Sequence, residues 1–413
     1  MLSRKGQWCL LCVSFIRTNP LPLSKKNNVE VGIVMQNPDI VKFRDRNAFM
    51  LKGPLAKKGY DWWWHSFTAV NKKSGERRTF FIEYFIINPA LGGDKPVFGQ
   101  LPGNREKGVR PSYGMLKAGC WGEKHCQVHN FYGIRQVSAS FKEMDVRMGD
   151  NVATDTMLKG SVSLTPGEAE AHPEYMSDAG SLSWDLKVEK MLSYPVGFGA
   201  SKFFRWLNAF AMFWHVAGMK CLYSGKVTCN DEEFQVIPEE CFGYQDKNWG
   251  SDFTSPWVWL SCNNFISEKT GKKMEMTSLD VGGGRPVVFG IPIPMKLLIA
   301  FRHEGKLYEY NFSKFYKPTS QKFVCSAKGD DVTWDIKGWS GRDRLEVDFR
   351  CPKGGMNWVN YEDPMGNKRY TDLWNGGFGS GTVKLFAKKG STWELVDTFK
   401  GTLAGCEYGV YSR

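Results

Sequence analysis

The segment Gly243–Gly250 concentrates reactive side chains in a short stretch of the chain. Its sequence holds a phenol, a carboxylate, an ammonium, two carboxamides and an indole between two glycines. Groups of these types can bind a ligand and transfer a proton. We therefore take Asp246 and Lys247 as candidate catalytic residues and Tyr244, Asn248 and Trp249 as candidate substrate-binding residues. Because glycines favour turns, we expect the segment to form a corner of the chain at the polar rim of a pocket.

A second aromatic group follows at once. Alternate side chains of a strand share one face, which places Trp257, Trp259, Ser261 and Asn263 together. Indoles beside small polar groups suit a ligand cavity better than a packed core, although an ordinary core remains the alternative. A carbocation over such rings would gain about 1–2 kcal/mol from each ring once water is excluded. These four residues are predicted to bind substrate.

Asp280 is the first candidate for a proton donor. On a strand predicted over 273–281 it shares a face with Met274, Met276 and Ser278, just before three glycines. A carboxyl group among apolar side chains has a raised pKa, so it can stay protonated near neutral pH and act as a general acid. The alternative is a strand-end acid that caps the glycine turn.

Asp246 and Lys247 also have a plain alternative. Adjacent residues of an extended segment point in opposite directions, so these two are not expected to pair with each other. Asp246 and Asn248 would then only accept hydrogen bonds from backbone amides in a tight corner. Trp249 would be core.

Two further candidates lie on a predicted hairpin, with strands over 61–70 and 78–88 and a glycine-bearing turn between them. Trp63 belongs to the run Trp62-Trp63-Trp64-His65 and is a candidate substrate-binding residue. Glu83 is flanked by apolar residues on either face. We favour a position at a strand edge with its carboxylate in water, and a buried, substrate-binding role is the alternative.

No metal and no cofactor are predicted. Cys120, His125, Cys126 and His129 lie close together in a glycine-flanked loop, but their spacing matches no familiar zinc motif. Gly282–Gly284 is followed by Pro286 and lacks the strand-to-helix context of a nucleotide loop.

The elements that must position these residues are mostly strands. The chain has 413 residues with 16 Trp, 15 Tyr, 28 Phe and 44 Gly, a composition typical of an all-β protein with many short strands. The best helical candidate is 201–214, which we expect between two domains. We predict an N-terminal arm over 1–50, a first domain over 51–200 and a second over 201–413. Nine or ten strands after residue 215 would close a barrel.

The net charge of +12 is only weak evidence for nucleic-acid binding. Residues 1–60 hold 11 Lys and Arg against three acids, so two thirds of the excess lies in these first 60 residues. The arm over 1–50 is either disordered or a short export signal. Eleven cysteines without the regular spacing of a disulfide framework favour the reducing cytoplasm.

We expect a hydrophobic small molecule as partner, no nucleic acid and no transmembrane helix. Peripheral membrane contact and the oligomeric state stay open.

Several of these segments together resemble the tocopherol cyclase family. They are Gly243–Gly250, Pro256–Trp259, Arg369–Gly377, Gly405–Gly409 and the early run Trp62–His65. The resemblance implies two lipocalin-like antiparallel β-barrels in tandem, with a short helix between them. It also implies a reaction on polyenes or prenylated rings that starts by protonating a double bond without a cofactor. Lys247 stands where related hydratases have His, which puts a His-dependent relay in doubt.

Two functions follow from these observations. The first is a tocopherol cyclase-like cyclase or isomerase with Asp280 as donor and the tryptophans as a cation-stabilising wall. The second is a lipocalin-like carrier that binds an apolar ligand without chemistry. An acid that turnover requires would distinguish the first from the second. A third possibility, a structural protein with merely aromatic cores, predicts no cavity large enough for a ligand.

Overall fold

The computed structural model describes residues 38–196, 200–314, 316–367 and 370–411. Most of the predicted arm over 1–50 lies outside these residues. The described chain is built almost entirely of antiparallel strands, as the aromatic and glycine-rich composition predicts.

Helices are short and the strands many. The α-helices are α1 (Pro38–Lys42), α2 (Pro102–Glu106), α3 (Pro166–Ala171) and α4 (Lys202–Trp206). The first twelve strands are β1 (Tyr60–Val70), β2 (Arg77–Ile87), β3 (Tyr113–Trp121), β4 (Cys126–Tyr132), β5 (Val137–Ala139), β6 (Asp145–Met148), β7 (Asn151–Thr154), β8 (Met157–Leu164), β9 (Gly180–Tyr194), β10 (Met212–Cys229), β11 (Glu232–Val236) and β12 (Gly243–Gly250). The others are β13 (Trp257–Cys262), β14 (Phe265–Ser267), β15 (Ser278–Gly284), β16 (Val287–Val288), β17 (Ile291–Pro292), β18 (Lys296–His303), β19 (Lys306–Asn311), β20 (Ser320–Ser326), β21 (Asp331–Trp339), β22 (Asp343–Pro352), β23 (Asn357–Val359), β24 (Tyr370–Lys389) and β25 (Thr392–Tyr411).

The local predictions hold where turn chemistry is clear. The hairpin β1–β2 pairs Val70 with Arg77 across the predicted turn, and β10 pairs with β11 around Asn230 and Asp231, which both have positive φ. The predicted helix over 201–214 is too long, because α4 ends at Trp206 and β10 begins at Met212. Some of the apolar residues whose spacing predicts this helix lie on β10 instead.

The first sheet holds β1 to β12 and curls into a nearly closed barrel. Its strand order is β4-β3-β2-β1-β11-β10-β9-β8-β7-β6-β5, and β12 pairs with both β1 and β10. The side chain of Asn130 on β4 reaches β8: its Nδ2 donates to the Ser163 carbonyl at 2.9 Å and its Oδ1 accepts from the Ser163 amide at 3.1 Å. A carboxamide thus takes the place of a peptide group at the seam.

The second sheet forms a second, similar barrel. Its order is β19-β18-β15-β13-β25-β24-β22-β21-β20, with β14 and β23 attached to β25 and β24. Its seam is also bridged by a carboxamide, since Gln321 Oε1 accepts from the Leu297 amide at 2.7 Å and its Nε2 donates to the Leu297 carbonyl at 3.0 Å. β16 and β17 form a separate hairpin.

Three apolar clusters hold this arrangement together. One fills the first barrel around Trp63 and Phe67, and one fills the second around Trp334 and Phe349. The third lies between the sheets and draws residues from both, among them Trp62 and Trp257. The barrel interiors are therefore packed, and the aromatic surface of interest is the one between the barrels.

The boundary between the sheets lies between Gly250 and Trp257, where β12 ends and β13 begins. The predicted boundary near residue 200 falls between β9 and β10, which pair with each other in the first sheet. The division into domains over 51–200 and 201–413 stays a prediction.

Two glycines of the second sheet accept an indole from the space between the barrels. A Cβ on Gly282 of β15 would lie 2.7 Å from the ring of Trp214, and one on Gly405 of β25 would overlap the ring of Trp259. The sequence predicts a turn at Gly282–Gly284, but all three residues belong to β15. Glycine is needed there for close packing.

Candidate functional site

The segment Gly243–Gly250 is a buried strand, so the expected corner is wrong. Every residue of β12 is buried, because the strand lies between β1 and β10. Its alternation divides the candidates. Tyr244, Asp246 and Asn248 face the second sheet, whereas Lys247 and Trp249 face the other way.

Tyr244 connects two carboxyl groups from different sheets. Its hydroxyl lies 3.2 Å from Asp246 Oδ2 on its own strand and 3.5 Å from Asp280 Oδ1 on β15. Trp259 on β13 donates its indole N–H to the same hydroxyl at 3.1 Å. Asp280 is completely buried and Asp246 nearly so. Four candidates from three strands are thereby brought into one hydrogen-bonded cluster.

Both carboxyl groups of this cluster favour the protonated form. Burial raises the pKa of Asp246 to about 8, against the hydrogen bond from Trp214, which lowers it. Burial, and then the charge of Asp246, raise the pKa of Asp280 well above its ordinary value. Removal from water disfavours the charged carboxylate in each case. At neutral pH these are proton donors.

Asp246 and Asn248 open onto a narrow aromatic cavity between the sheets. Its other walls are Trp62 and Trp64 of β1, Trp257 and Trp259 of β13, Tyr361 and Glu407. The rings of Trp62 and Tyr361 stack with centroids 5.4 Å apart. The Oδ1 atom of Asp246 is buried and meets no hydrogen-bond partner among the described residues, so it remains available to a ligand.

Glu407 lies across this cavity from Asp246, and its pKa is raised less. The Trp257 indole donates to its Oε2 atom and the Asn375 carboxamide to its Oε1 atom. Burial raises the pKa of Glu407 to about 6, against these two hydrogen bonds, which lower it. At pH 7 Glu407 is therefore mostly a carboxylate, while Asp246 is mostly neutral.

Glu83 belongs to a buried cluster beside the same cavity. It lies on β2 between β1 and β3 and is fully buried, so the expected edge position is wrong. Its Oε2 is 2.6 Å from Lys117 Nζ and accepts a 2.9 Å hydrogen bond from Tyr361. The ammonium of Lys117 compensates the buried charge, and Tyr361 carries the contact to the cavity.

A larger apolar pocket borders the acid cluster on one side. It has a volume of about 90 Å³. Its walls include Phe210, Phe213, Trp214, Trp257, Gly282 and Leu298. The Trp214 indole donates to Asp246 Oδ2 at 2.7 Å. One side chain thus separates the apolar pocket from the proton donor.

Three of the candidates do not line the aromatic cavity at Asp246: Lys247, Trp249 and Trp63. Lys247 forms an ion pair with Asp61 in which neither side chain is exposed, and its ammonium lies 3.7 Å from the centroid of the Trp63 ring. Trp63 packs in the core of the first barrel. Trp249 stacks on Phe213 at 5.3 Å.

Ser261 and Asn263 lie on the same face as Trp257 and Trp259, as alternation predicts, but farther along. Asn263 donates to the carbonyls of Met219 and Gly243 at 3.0 and 2.8 Å, so its carboxamide ties the two sheets together. Ser261 is buried in a small cavity beside Tyr244.

Sequence reasoning missed Trp62, Trp64, Trp214, Tyr361 and Glu407. The two indoles of β1 could have been found, because alternation places them on the face opposite to Trp63. Trp214 was missed because the sequence predicts a helix over 201–214, whereas this residue lies on β10. Glu407 lies two residues after Gly405. No local pattern in the sequence predicts that the Trp259 ring packs against this glycine.

The four residues weighed as zinc ligands do not converge. His125 is exposed and His129 is buried with its Nδ1 2.8 Å from the Tyr175 carbonyl. Cys120 and Cys126 do face each other, with their sulfurs 3.7 Å apart.

Within the described ranges, no helix is long and apolar enough to cross a membrane.

The chain is similar in sequence to one protein family and to individual plant proteins. Residues 97–410 match the family described as tocopherol cyclase-like. A rice protein (Oryza sativa subsp. japonica) assigned as a chloroplastic tocopherol cyclase is 32% identical over 137 residues, which are 32% of this chain and 25% of the relative. The chloroplastic tocopherol cyclase of Zea mays is 31% identical over 108 residues, 25% of this chain and 22% of the relative. The matched regions thus span about a quarter of these relatives.

Two solved structures have a similar course at 12% identity and a TM-score of 0.41. One, from Nitrosomonas europaea, is assigned as AttH, with 92% of this chain and 98% of that chain covered. The other is kievitone hydratase from Nectria haematococca, with 88% and 92% covered. The match over residues 97–410, most of the sequence, establishes that the chain belongs to the tocopherol cyclase-like family.

Proposed function

We propose that the chain is a cofactor-independent cyclase or isomerase that protonates a carbon–carbon double bond of a hydrophobic prenylated or polyene substrate. The observation that carries this proposal is the pair of acids across one aromatic cavity. The pKa of Asp246 is raised to about 8 and that of Glu407 to about 6. Two carboxyl groups whose environments separate their pKa values are suited to act as donor and counter-charge.

The first step is proton transfer from Asp246 to the double bond. The electron pair of the double bond forms the new C–H bond, and the other carbon becomes a carbocation. The cation lies against indole and phenol faces, which attract it, and near the Glu407 carboxylate. Asp246 becomes a carboxylate that keeps the hydrogen bond from the Tyr244 hydroxyl.

The second step closes a ring within the substrate. A hydroxyl of the substrate attacks the carbocation and returns its proton to Asp246, so that the reaction is a net isomerisation and consumes no co-reactant. Tyr244 joins Asp246 to Asp280 by hydrogen bonds, and we assign Asp280 as the positioning acid that holds this hydroxyl. Asp246 takes the donor role because it lines the cavity, whereas Asp280 lies behind Tyr244.

Access to the donor requires Trp214 to move. The cavity at Asp246 has a volume of about 10 Å³, room for about one water molecule. The neighbouring apolar pocket, at about 90 Å³, is the better entrance for a prenyl chain. We propose that the chain of the substrate enters there and turns the indole of Trp214 aside.

The test is conversion of a prenylated hydroquinone by the purified protein in H₂O and in D₂O. An isomer of equal mass should form in H₂O, and the product from D₂O should carry one carbon-bound deuterium. Asp246→Asn should lower kcat by at least about 100-fold. Asp397→Asn, a change of a buried acid in the second sheet, is the control and should convert at the wild-type rate.

The carrier hypothesis predicts another result. Wild-type protein would bind the hydroquinone without forming any isomer, and Asp246→Asn would bind it equally well. Equal turnover by Asp246→Asn and wild type would instead assign the donor role to another group.

The cytoplasm is part of the proposal. The cysteines that the structure describes are free thiols, which supports a reducing compartment. Fractionation of cells that make the untagged protein tests this location.

A further inference from the structure

Three cysteines that the proposed chemistry does not use meet inside the first barrel. They are Cys120 on β3, Cys126 at the start of β4 and Cys229 at the end of β10. Their sulfur atoms all lie within 4.8 Å of one another, and all three residues are buried. Cys120 and Cys126 are direct partners in the β3–β4 ladder, whereas Cys229 arrives from β10, whose ladders run to β9, β11 and β12.

The spacing of these sulfurs fits a thiolate-bound metal ion. Zinc binds cysteine sulfur at about 2.3 Å, so two sulfurs of one tetrahedral site lie about 3.8 Å apart. The sulfurs of Cys120 and Cys126 are 3.7 Å apart. The Cys120 thiol also lies 3.2 Å from the Lys124 carbonyl, a weak bond that it would give up as a metal ligand.

A buried arginine lies beside the three sulfurs. Three thiolates around a divalent ion leave one net negative charge. The Arg78 guanidinium interacts with Cys229 and is held in place by Glu76 at 2.6 Å and Glu232 at 2.7 Å. Its own side chain is 5% exposed. Because Glu76 and Glu232 share its charge, the guanidinium offsets only part of the excess charge of the site.

We propose that Cys120, Cys126 and Cys229 bind one zinc ion, which joins the β3–β4 hairpin to β10 at one end of the first barrel. Three protein ligands leave the fourth position of the tetrahedron for water. This site lies in the core of the first barrel, apart from the aromatic cavity, so the proposal is independent of the proposed reaction.

The direct test is zinc binding by the full-length, reduced protein after treatment with a chelator. Equilibrium dialysis against Zn²⁺ should give about one zinc per chain for wild type. Cys229→Ser should lower the affinity at least about tenfold. Cys262→Ser removes a buried thiol of the second barrel and should bind zinc like wild type. Equal zinc binding by wild type and Cys229→Ser would overturn the proposal, and so would the lack of a stoichiometric zinc in wild type.

A second measurement needs no variant and therefore does not depend on its folding. Alkylation of the native wild-type protein, followed by peptide mass spectrometry, gives the reactivity of each cysteine. Zinc should slow the alkylation of Cys120, Cys126 and Cys229 at least about tenfold, and leave that of Cys325 unchanged. A Cys120–Cys126 disulfide that forms in air, together with thiols that zinc does not protect after reduction, would show a redox pair and contradict the metal site.

Discussion

The Trp214 indole donates a 2.7 Å hydrogen bond to Asp246 Oδ2, and the same ring lies on Gly282 of the opposite sheet. One side chain therefore controls three properties: the pKa of the donor, the wall of the apolar pocket and the contact between the barrels. Because a donor hydrogen bond favours the charged carboxylate, Trp214 lowers a pKa that burial raises.

Trp214→Phe should raise the pKa of Asp246 above its value of about 8. A hydrogen bond to a charged group contributes enough to move the pKa by about one pH unit. Infrared titration of the carboxyl band, with Asp246→Asn as the subtraction, measures this change. Trp334→Phe is the control, since the Nε1 atom of Trp334 is buried without a partner in the described part of the chain. No difference between the two variants would contradict the assignment.

Stability should depend on pH through the same acid. The pKa of Asp246 rises from 3.8 to about 8 on folding, so the folded protein holds a proton that the unfolded chain has lost. The stability from this group is full below about pH 4 and is lost as the pH rises to about 8, by at most about 1.4 kcal/mol per pH unit. Urea unfolding between these two pH values should show a shallower decline for Asp246→Asn. Parallel curves for the two proteins would refute this origin.

Lys247 should be a structural residue. Lys247→Met leaves the buried Asp61 carboxylate without its cation and should cost about 3–5 kcal/mol. In the double variant Asp61→Asn/Lys247→Met no charge remains, and the new carboxamide can still accept from the Met50 amide, as the Asp61 carboxylate does at 2.8 Å. We expect the double variant to recover most of the loss in urea unfolding and to keep its turnover. Additive losses would argue against the pairing.

Gly282→Ala should disturb the contact between the barrels. The new methyl group would lie 2.7 Å from the Trp214 ring, an overlap that should cost about 1–3 kcal/mol and shift the fluorescence of Trp214. Gly354→Ala is the matched control, because a Cβ there meets no atom within 4 Å. Similar unfolding midpoints for both variants would show that the indole has room to move.

The seam carboxamides should stabilise each barrel separately. Asn130→Ala should cost about 1 kcal/mol and speed hydrogen exchange of the Ser163 amide, whereas Gln321→Ala should do so at the Leu297 amide. Each variant serves as the control for the other barrel. Unchanged exchange at both amides would mean that the ladders alone hold the seams.

Much of the fold follows from local signals. Aromatic alternation and the turn at Asn230 and Asp231 predict strands and hairpins because their causes lie within a few residues. Glycines are the main source of error. Gly243 and Gly282 have the residue type of a turn, yet both lie in strands where another side chain occupies the space of a Cβ.

The candidate site could be predicted in part. Residue type alone points to Asp246, Asp280 and Trp259, but Tyr244 brings the acids together only because β12 and β15 belong to different sheets that face each other. Contacts between sheets depend on the whole chain and leave no local pattern. Lys247 and Trp249 share a segment with Asp246 and lie on the wrong face of the strand.

The seating of an indole on a glycine has a consequence for the history of such chains. Trp214 and Gly282 are fitted to each other across the space between the barrels, whereas Trp259 and Gly405 are fitted to each other on neighbouring strands of the second sheet. A larger residue at the glycine and a smaller one at the tryptophan would each be harmful alone and tolerable together. These positions should therefore change as pairs among related sequences, and the Trp214–Gly282 pair would record how the two barrels stay matched as the substrate changes.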